Sequence, residues 1–443
     1  MNVPSAWFGS VMRRERSYME EKEKVLLVGV DTGEEEDFER SMKELGELAK
    51  ACNMQVAGMV TQKMDSVNKA FYIGTGKVTE VKEYAEALEA DLVIFDNSLT
   101  PSQLRNLQKE IDRPVMDRTA LILEIFSLRA QTREAKLQVE TARLQYLLSR
   151  LVGMHGALTR QGGTSGSMSS RGAGEKKLEL DRRKIERRLT ELRRELEEVT
   201  KERETQGKQR QESRIPKVAL VGYTNAGKST LMNRMIDKYS AGEEKKVLEK
   251  DMLFATLDTS VRRIDMGNNR EMLLSDTVGF IHKLPHGLVK AFRSTLDEVK
   301  HADLLLCVAD CSDENHNQQI KVTEETLSEI GAGDIPMLYI YNKADLCGAA
   351  DELPRLVGDN KIYMSAKSGQ GLEELAQMIQ DKVFADYVKA EFLFPYTQGQ
   401  AVSWLMEHAS VYKQEFTEDG IAITADCHRA DAGKYQEYIV KQG

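Results

Sequence analysis

One stretch constrains this chain more than any other: residues 218–230, V-A-L-V-G-Y-T-N-A-G-K-S-T. The apolar run Val218 to Val221 reads as a buried strand. Gly222 to Ser229 fits G-x-x-x-x-G-K-[ST], and Thr230 to Met235 has the character of a first helical turn. A tight glycine turn between strand and helix would give the same local pattern. The flanks favour a phosphate cradle. Gly222 and Gly227 let the backbone bend so that the N–H groups of Tyr223, Thr224, Asn225 and Ala226 converge on an anion. The helix N-terminus adds its positive end at Lys228, Ser229 and Thr230. Lys228 is placed to reach β- and γ-phosphates, and the Ser229 hydroxyl to hold Mg²⁺.

Three downstream motifs narrow the ligand. Asp276-Thr277-Val278-Gly279 follows the apolar run 272–274. A carboxylate at a strand end can hold Mg²⁺ through water, and the Gly279 N–H can face a γ-phosphate. Asn342-Lys343-Ala344-Asp345 follows the apolar run 337–341 and has the form N-K-x-D. Asp345 can accept from the N1 and N2 hydrogens of guanine, which adenine lacks, so a site built on that acceptor rejects the wrong base strongly. Ser365-Ala366-Lys367 completes the set, with the Ala366 N–H placed for guanine O6. Four short motifs in this order, each at an expected strand end, read as a guanine-nucleotide domain binding GTP/GDP and Mg²⁺. Thr256, in the stretch 253–259, is the candidate threonine that meets Mg²⁺ only with a γ-phosphate present, with Thr259 as the rival.

With 443 residues the chain exceeds one core, and several domains are expected. No apolar stretch approaches the roughly 20 residues that cross a bilayer. Arg13, Arg14 and Arg16 near the start are followed by no apolar block, which argues against a signal peptide. The five cysteines include no C-x-x-C and read as free thiols of a reducing compartment. The net charge is −9, yet residues 124–214 hold 21 Lys+Arg against 14 Asp+Glu. A positive segment in an acidic chain fits a local anionic partner, or simply a solvated helical surface.

The expected architecture is α/β. Residues 1–24 form an extension and 25–120 an N-terminal α/β domain. A helical coiled-coil hairpin occupies 121–214, a P-loop GTPase domain 215–387 and a small α/β domain 388–443. In the first domain, apolar runs at 25–30, 55–60 and 92–95 alternate with helical spacing at 37–52 and 77–88, which implies a parallel sheet under helices. Thr100, Pro101 and Gln103 make a helix start. Gly74-Thr75-Gly76-Lys77 reads as a plain turn more readily than as an anion site. Long helices are expected at 121–152 and 175–204. In the second, Leu178, Ile185, Leu192 and Val199 repeat every seven residues, with Leu189 and Leu196 between them, the period of a left-handed coiled coil. The Gly/Ser-rich connection 153–174 carries Arg160 and Arg171 and no acidic residue. It reads as a tip that orders against RNA, or as a loop with no role. In the tail, strands at 411–416 and 421–425 flank a turn, with helices at 401–408 and 430–440.

The whole order resembles the HflX family of ribosome-associated GTPases. The resemblance is carried by residues 71–78, 92–97, 115–119, 133–140 and 171–175, and by the GTPase stretches 222–230, 254–258 and 276–280. The tip, serine-rich at 166–170, departs from the glycine-rich family pattern. The resemblance implies a bacterial-type cytoplasmic GTPase, touching membranes only peripherally through ribosomes. It implies binding to the large ribosomal subunit and its rRNA, with the hairpin tip reaching toward the peptidyl-transferase region. It further implies splitting of stalled or idle 70S ribosomes in the GTP state, as a stress response. The family has also been described as binding ATP, and no second Walker motif supports that here. A monomer is expected. The position after Gly279 is Phe280, where many GTPases carry a water-orienting glutamine. Slow intrinsic turnover follows, with the water placed by backbone, by a partner or by K⁺ at Asn225. A loop-stabilising hydrogen bond is the other reading of Asn225. Two other classes compete: a GTPase switch that docks a protein partner through its coiled coil without RNA, and a nucleotide-stabilised scaffold.

Overall fold

The computed structural model describes residues 22–33, 37–160, 168–212, 215–239, 253–254, 257, 260–267, 270–281, 283, 299–347 and 352–442. Within these, the side chains of 152–160, 168–178 and 202–212 are not described. Two compact units divide the chain, one holding the residues up to Ile122 together with the described residues from Gly156 to Arg160, the other the rest, and each is described by itself.

The first unit is built on four strands. These are β1 (Lys24–Asp31), β2 (Gln55–Lys63), β3 (Leu92–Phe95) and β4 (Val115–Asp117). All pair in parallel in the order β2-β1-β3-β4. Helices α1 (Phe38–Ala51), α2 (Thr75–Ala87) and α3 (Pro101–Ile111) form the crossovers. β1 and β3 are apolar because both faces are covered. The helix start at Thr100 is a reciprocal capping box with Gln103. The turn at Gly74 closes on the protein itself: Gly74 N–H donates to Gln62 Oε1 at 2.9 Å, and Lys77 pairs with Glu80 at 2.7 Å. Beyond the strand ends lies a buried charge cluster. Arg118, at the start of α4 (Arg118–Arg129), reaches Asp96 and Glu44 at 2.6 Å each, and Ser41 Oγ donates to Asp96 at 2.7 Å. The signature stretches 92–97 and 115–119 are therefore tied by ion pairing, which keeps buried charge compensated.

In the second unit, α5 (Arg133–Arg160), as far as His155, and α6 (Met168–Glu212) form the hairpin. The single expected helix over 121–152 is broken at 130–132. Thr132 causes the break: its Oγ1 accepts from Ala135 N–H at 3.1 Å, a cap that starts a new helix. At the other end helix runs on through Gly153 and Gly156 to Arg160 and is present again from Met168, so much of the connection expected over 153–174 is helical, and 161–167 lie outside the described residues. Glycine costs a helix only about 1 kcal/mol, which its neighbours outweigh. At 45 residues α6 spans about 68 Å. Its seam is legible at Ile185, Leu189 and Leu192, all buried, and loosens at Leu196 and Val199. Arg188 clasps Glu140 with two bonds, 2.8 and 3.1 Å. The two residues lie equally far from the turn, as antiparallel pairing requires.

The GTPase sheet comprises β5 (Lys217–Gly222), β6 (Ser260–Asp265), β7 (Glu271–Asp276), β8 (Leu304–Asp310), β9 (Met337–Asn342), β10 (Arg355–Val357) and β11 (Lys361–Tyr363). Their order is β10-β11-β9-β8-β5-β7-β6, parallel except at the two edges. Helices α7 (Lys228–Tyr239), α8 (His316–Ile330) and α9 (Leu372–Val383) cover it, with an apolar core on each face. The tail is an antiparallel sheet, β13-β14-β12-β15, of β12 (Tyr387–Phe394), β13 (Ser410–Thr417), β14 (Gly420–His428) and β15 (Ile439–Gln442). Helix α10 (Gly399–His408) packs on it. The helix expected over 430–440 stops at Lys434, as α11 (Arg429–Lys434), and Ile439-Val440 begin β15 instead. The β-branched pair favours the strand, and β12 offers it an open edge. Arg270, between β6 and β7, reaches Asp426 of the tail at 2.5 Å and Gln380 of α9 at 3.2 Å. Among the described residues no helix is long and apolar enough to cross a membrane.

Candidate functional site

The site sits outside the carboxyl ends of β5, β7, β8 and β9, where an open parallel sheet leaves a crevice. β5 delivers the loop 222–227 to the start of α7. Lys228 is buried, and its Nζ donates to the Gly222 and Tyr223 carbonyls at 3.0 and 2.7 Å. Burial pushes this amine down to about 8, against the opposing pull of Asp276. Ser229 Oγ donates to Asp276 Oδ2 at 2.7 Å. A hydroxyl and a carboxylate so placed are hard oxygen donors suited to Mg²⁺ beside phosphates.

The loop after β7 is stitched to the phosphate loop. Thr224 N–H donates to the Phe280 carbonyl at 2.9 Å, and Phe280 N–H to Gly222 O at 3.1 Å. Thr277 Oγ1 donates to Leu220 O at 2.6 Å. Val278 is buried beside them. Gly279 lies so close to the loop that a Cβ would stand 2.8 Å from Thr224 Cα and 2.9 Å from Lys228 Nζ. The Phe280 ring packs among Val221, Val299 and Leu305, in the core.

The base-side motifs meet at Asn342. Its Nδ2 donates to the Ala226 carbonyl at 2.9 Å and its Oδ1 accepts from Ala366 N–H at 2.9 Å. One side chain thus joins three loops. Gly227, at φ +94°, has no room for a Cβ, which would lie 2.2 Å from Asn342 Nδ2. The amide expected to meet guanine O6 is occupied by Asn342 in this structure, so base binding must share or replace that bond. Lys343 pairs with Asp310 at 2.6 Å. Asp345 Oδ1 is buried with no hydrogen-bond partner among the described residues, and Thr224 Oγ1 likewise. An orphaned carboxylate oxygen at the strand-end crevice fits a donor-bearing base edge. Ser365 is fully buried, and its Oγ accepts from Ser368 N–H at 3.3 Å. Lys367 is exposed, with its carbonyl held by Arg234 at 2.7 Å.

Asn225 is exposed at φ +60°, and Thr230 is half-buried in the first turn of α7. Thr256 and Thr259 lie outside the described residues, as do the side chains of Arg160 and Arg171. Nearby Phe254 is buried and meets Phe126 edge-to-face, with ring centroids 4.8 Å apart. The sequence reading missed that aromatic pair, and spacing carries no signal for it. It also missed the double role of Asn342, which only the meeting of three loops reveals.

Sheet topology, phosphate loop and base-side turn together define a P-loop GTPase. Four family models match in order along the chain. They are described as the GTP-binding GTPase N-terminal region (39–127), the GTP-binding GTPase middle region (129–210), a 50S ribosome-binding GTPase (217–343) and the HflX C-terminal domain (356–436). The GTPase HflX of Caldanaerobacter subterraneus subsp. tengcongensis is 43% identical over 425 residues, covering 96% of this chain and 95% of its own. That of Escherichia coli is 38% identical over 403 residues, covering 90% and 92%. A GTP-binding protein of Sulfolobus solfataricus, solved with GDP, is 26% identical over 82% of this chain and 99% of its own, with a TM-score of 0.42. The chain belongs to the HflX family of GTPases.

Proposed function

We propose that this GTPase binds the large ribosomal subunit and its rRNA and, in its GTP state, splits stalled or idle 70S ribosomes. The supporting observation is the union in one chain of a guanine-nucleotide site with a long hairpin of net positive charge. The stretch 217–343, which matches the model described as a 50S ribosome-binding GTPase, points the same way. The basic segment supplies the phosphate-seeking surface that RNA requires, with Arg160 and Arg171 as tip contacts. The chain acts as a cytoplasmic monomer, and its working parts are the five segments set out from the sequence.

At the nucleotide, Asp345 reads guanine, assisted by Asn342, Ala366 and the packing of Lys343. Lys228 and the loop N–H groups neutralise phosphate charge. Ser229, Asp276 and Thr256 hold Mg²⁺, which supplies charge neutralisation when bound. Catalysis is then positioning and electrostatics. The Gly279 N–H faces the γ-phosphate, and the core-facing Phe280 leaves orientation of the attacking water to backbone, ribosome or K⁺ at Asn225. Turnover is therefore slow for the protein alone and rises on ribosomes.

The test is co-sedimentation with purified 70S ribosomes through sucrose, with GDP or a non-hydrolysable GTP analogue. The expected result is analogue-dependent migration with the large subunit and loss of the 70S peak. Absence of binding in both states would overturn the reading. Deleting 161–167 then tests the tip: binding without splitting is expected.

A further inference from the structure

Two of the five cysteines face each other beside the base-reading turn. Cys311 directly follows β8, and its N–H donates to the Asn342 carbonyl at 2.8 Å. Cys347 closes the turn that starts at Asn342-Lys343-Ala344-Asp345, its N–H bonded to Ala344 O at 3.1 Å. Their sulfurs are 3.2 Å apart. Asp310, the residue before Cys311, pairs with Lys343. The thiols therefore lie between the end of β8 and the turn that carries Asp345. Cys347 is the one exposed cysteine of the five. Cys307 and Cys427 are buried, and Cys52 and Cys311 are partly covered. An oxidant in solution meets Cys347 first, with Cys311 in place behind it.

We propose that Cys311 and Cys347 form a reversible disulfide on exposure to a peroxide, and that this bond weakens guanine-nucleotide binding. The Cys347 thiolate attacks one peroxide oxygen. The O–O bond breaks, hydroxide leaves and takes up a proton to become water, and Cys347 carries a sulfenic acid. The Cys311 sulfur then attacks the Cys347 sulfur. The S–O bond breaks, and the departing hydroxide takes the Cys311 proton and leaves as a second water. Two thiols lose two electrons and one peroxide gains them. A cellular dithiol reverses the bond by exchange. Burial and the hydrogen bond from Cys347 push the free Cys311 thiol up to about 12. That keeps it protonated, and so a poor initiator, until its partner has been oxidised. Transient, regulatory disulfides of this kind are the sort a reducing compartment permits.

The geometry sets the consequence. A disulfide requires about 2.05 Å between sulfurs, so the pair must close by roughly 1 Å from its 3.2 Å separation. Asp345 is two residues from Cys347, in the short 3₁₀ turn (Ala344–Leu346) that Cys347 caps. A carboxylate accepting from both N1 and N2 of a base tolerates only a few tenths of an ångström in each bond. Losing hydrogen bonds to such a charged group costs on the order of tenfold to a hundredfold in affinity.

The inference rests on Asp345 as the guanine reader, and the experiment separates the two. Fluorescent GDP is titrated into the full chain under reductant, after stoichiometric hydrogen peroxide, and after reductant is restored. Free thiols are counted by alkylation and intact mass. Failure of the reduced protein to bind GDP would overturn the site reading itself. Given binding, the expected result has three parts. The mass falls by two hydrogens with Cys311 and Cys347 protected, GDP affinity falls at least about tenfold, and reductant restores both. Cys347→Ser keeps its affinity through the peroxide step. Three results would each sink the proposal: both thiols staying alkylatable, Cys347 gaining oxygens without pairing, or a disulfide with unchanged GDP affinity.

Discussion

Lys228 must be charged to serve a polyphosphate, yet in the free protein its burial holds it down to about 8. Its ammonium donates to two loop carbonyls, at 3.0 and 2.7 Å. Bound phosphate reverses the balance by adding negative charge at the Nζ. Nucleotide binding therefore takes up a proton wherever the free amine is deprotonated. With a free value of about 8, the protonated fraction falls from about 0.9 at pH 7 to about 0.24 at pH 8.5. Apparent affinity scales with the competent fraction. GDP binding should thus weaken about fourfold over that interval, roughly 0.8 kcal/mol. The window stays below the range in which guanine N1 ionises. The assay is a GDP titration at pH 7, 7.5, 8 and 8.5, paired with calorimetry in buffers of different ionisation enthalpy. Proton uptake near pH 8.5 with the fourfold loss is expected. A flat profile without uptake would refute the burial argument. The stability sign is distinct. The folded value lies below the unfolded 10.5, so the unfolded chain binds more protons between about 8 and 10.5. In the free protein this group's contribution to stability therefore rises with pH across that window.

Asn342→Ala leaves Ala226 O and Ala366 N–H without their partner, and at about 1–3 kcal/mol for each stranded buried group the GTPase domain should lose roughly 2–6 kcal/mol, read by thermal melts with and without GDP; a change below about 0.5 kcal/mol would refute the three-loop tie. Gly279→Ala places a Cβ against Thr224 backbone and Lys228 Nζ, and should lower affinity for a non-hydrolysable GTP analogue at least about tenfold by misplacing groups near 1 Å; equal affinity would show that the loop gives way freely. Phe126→Ala removes a buried ring that packs on Phe254 and should cost about 3–5 kcal/mol in denaturant titration, with faster proteolysis after Phe254. Arg188→Ala, at a half-exposed pair with Glu140, should cost no more than about 1 kcal/mol; a larger loss would mean the clasp sets the hairpin register.

The parts read from sequence were those whose physics is local. Residues 218–230 announce strand, loop and helix because glycine placement, the lysine and the apolar run lie within one short stretch. Thr100-Pro101-Gln103 announces its helix for the same reason. What escaped depends on partners far along the chain. The break at Thr132 turns on one hydroxyl–amide bond that outweighs a stretch without Gly or Pro. The extended helices around the tip depend on glycine being outvoted by its neighbours. β15 exists because β12 offers an edge across some fifty residues. At the candidate site, motif points to Asp345, Asn342 and Ala366, but the engagement of the Ala366 amide by Asn342 belongs to the meeting of three loops. Pattern gives the residue types at a site; it does not give which bonds they make before a ligand arrives.

The two bonds between Phe280 and the phosphate loop impose a mechanical boundary condition. They fasten the end of the stretch 276–280 to the loop that leaves β5, with the Phe280 ring sunk in the core beside them. The join is made by main-chain atoms alone, so it is indifferent to which side chains stand at Thr224 and Phe280. Substitutions there change what surrounds the seam, while proline at either position would remove one of its two donors.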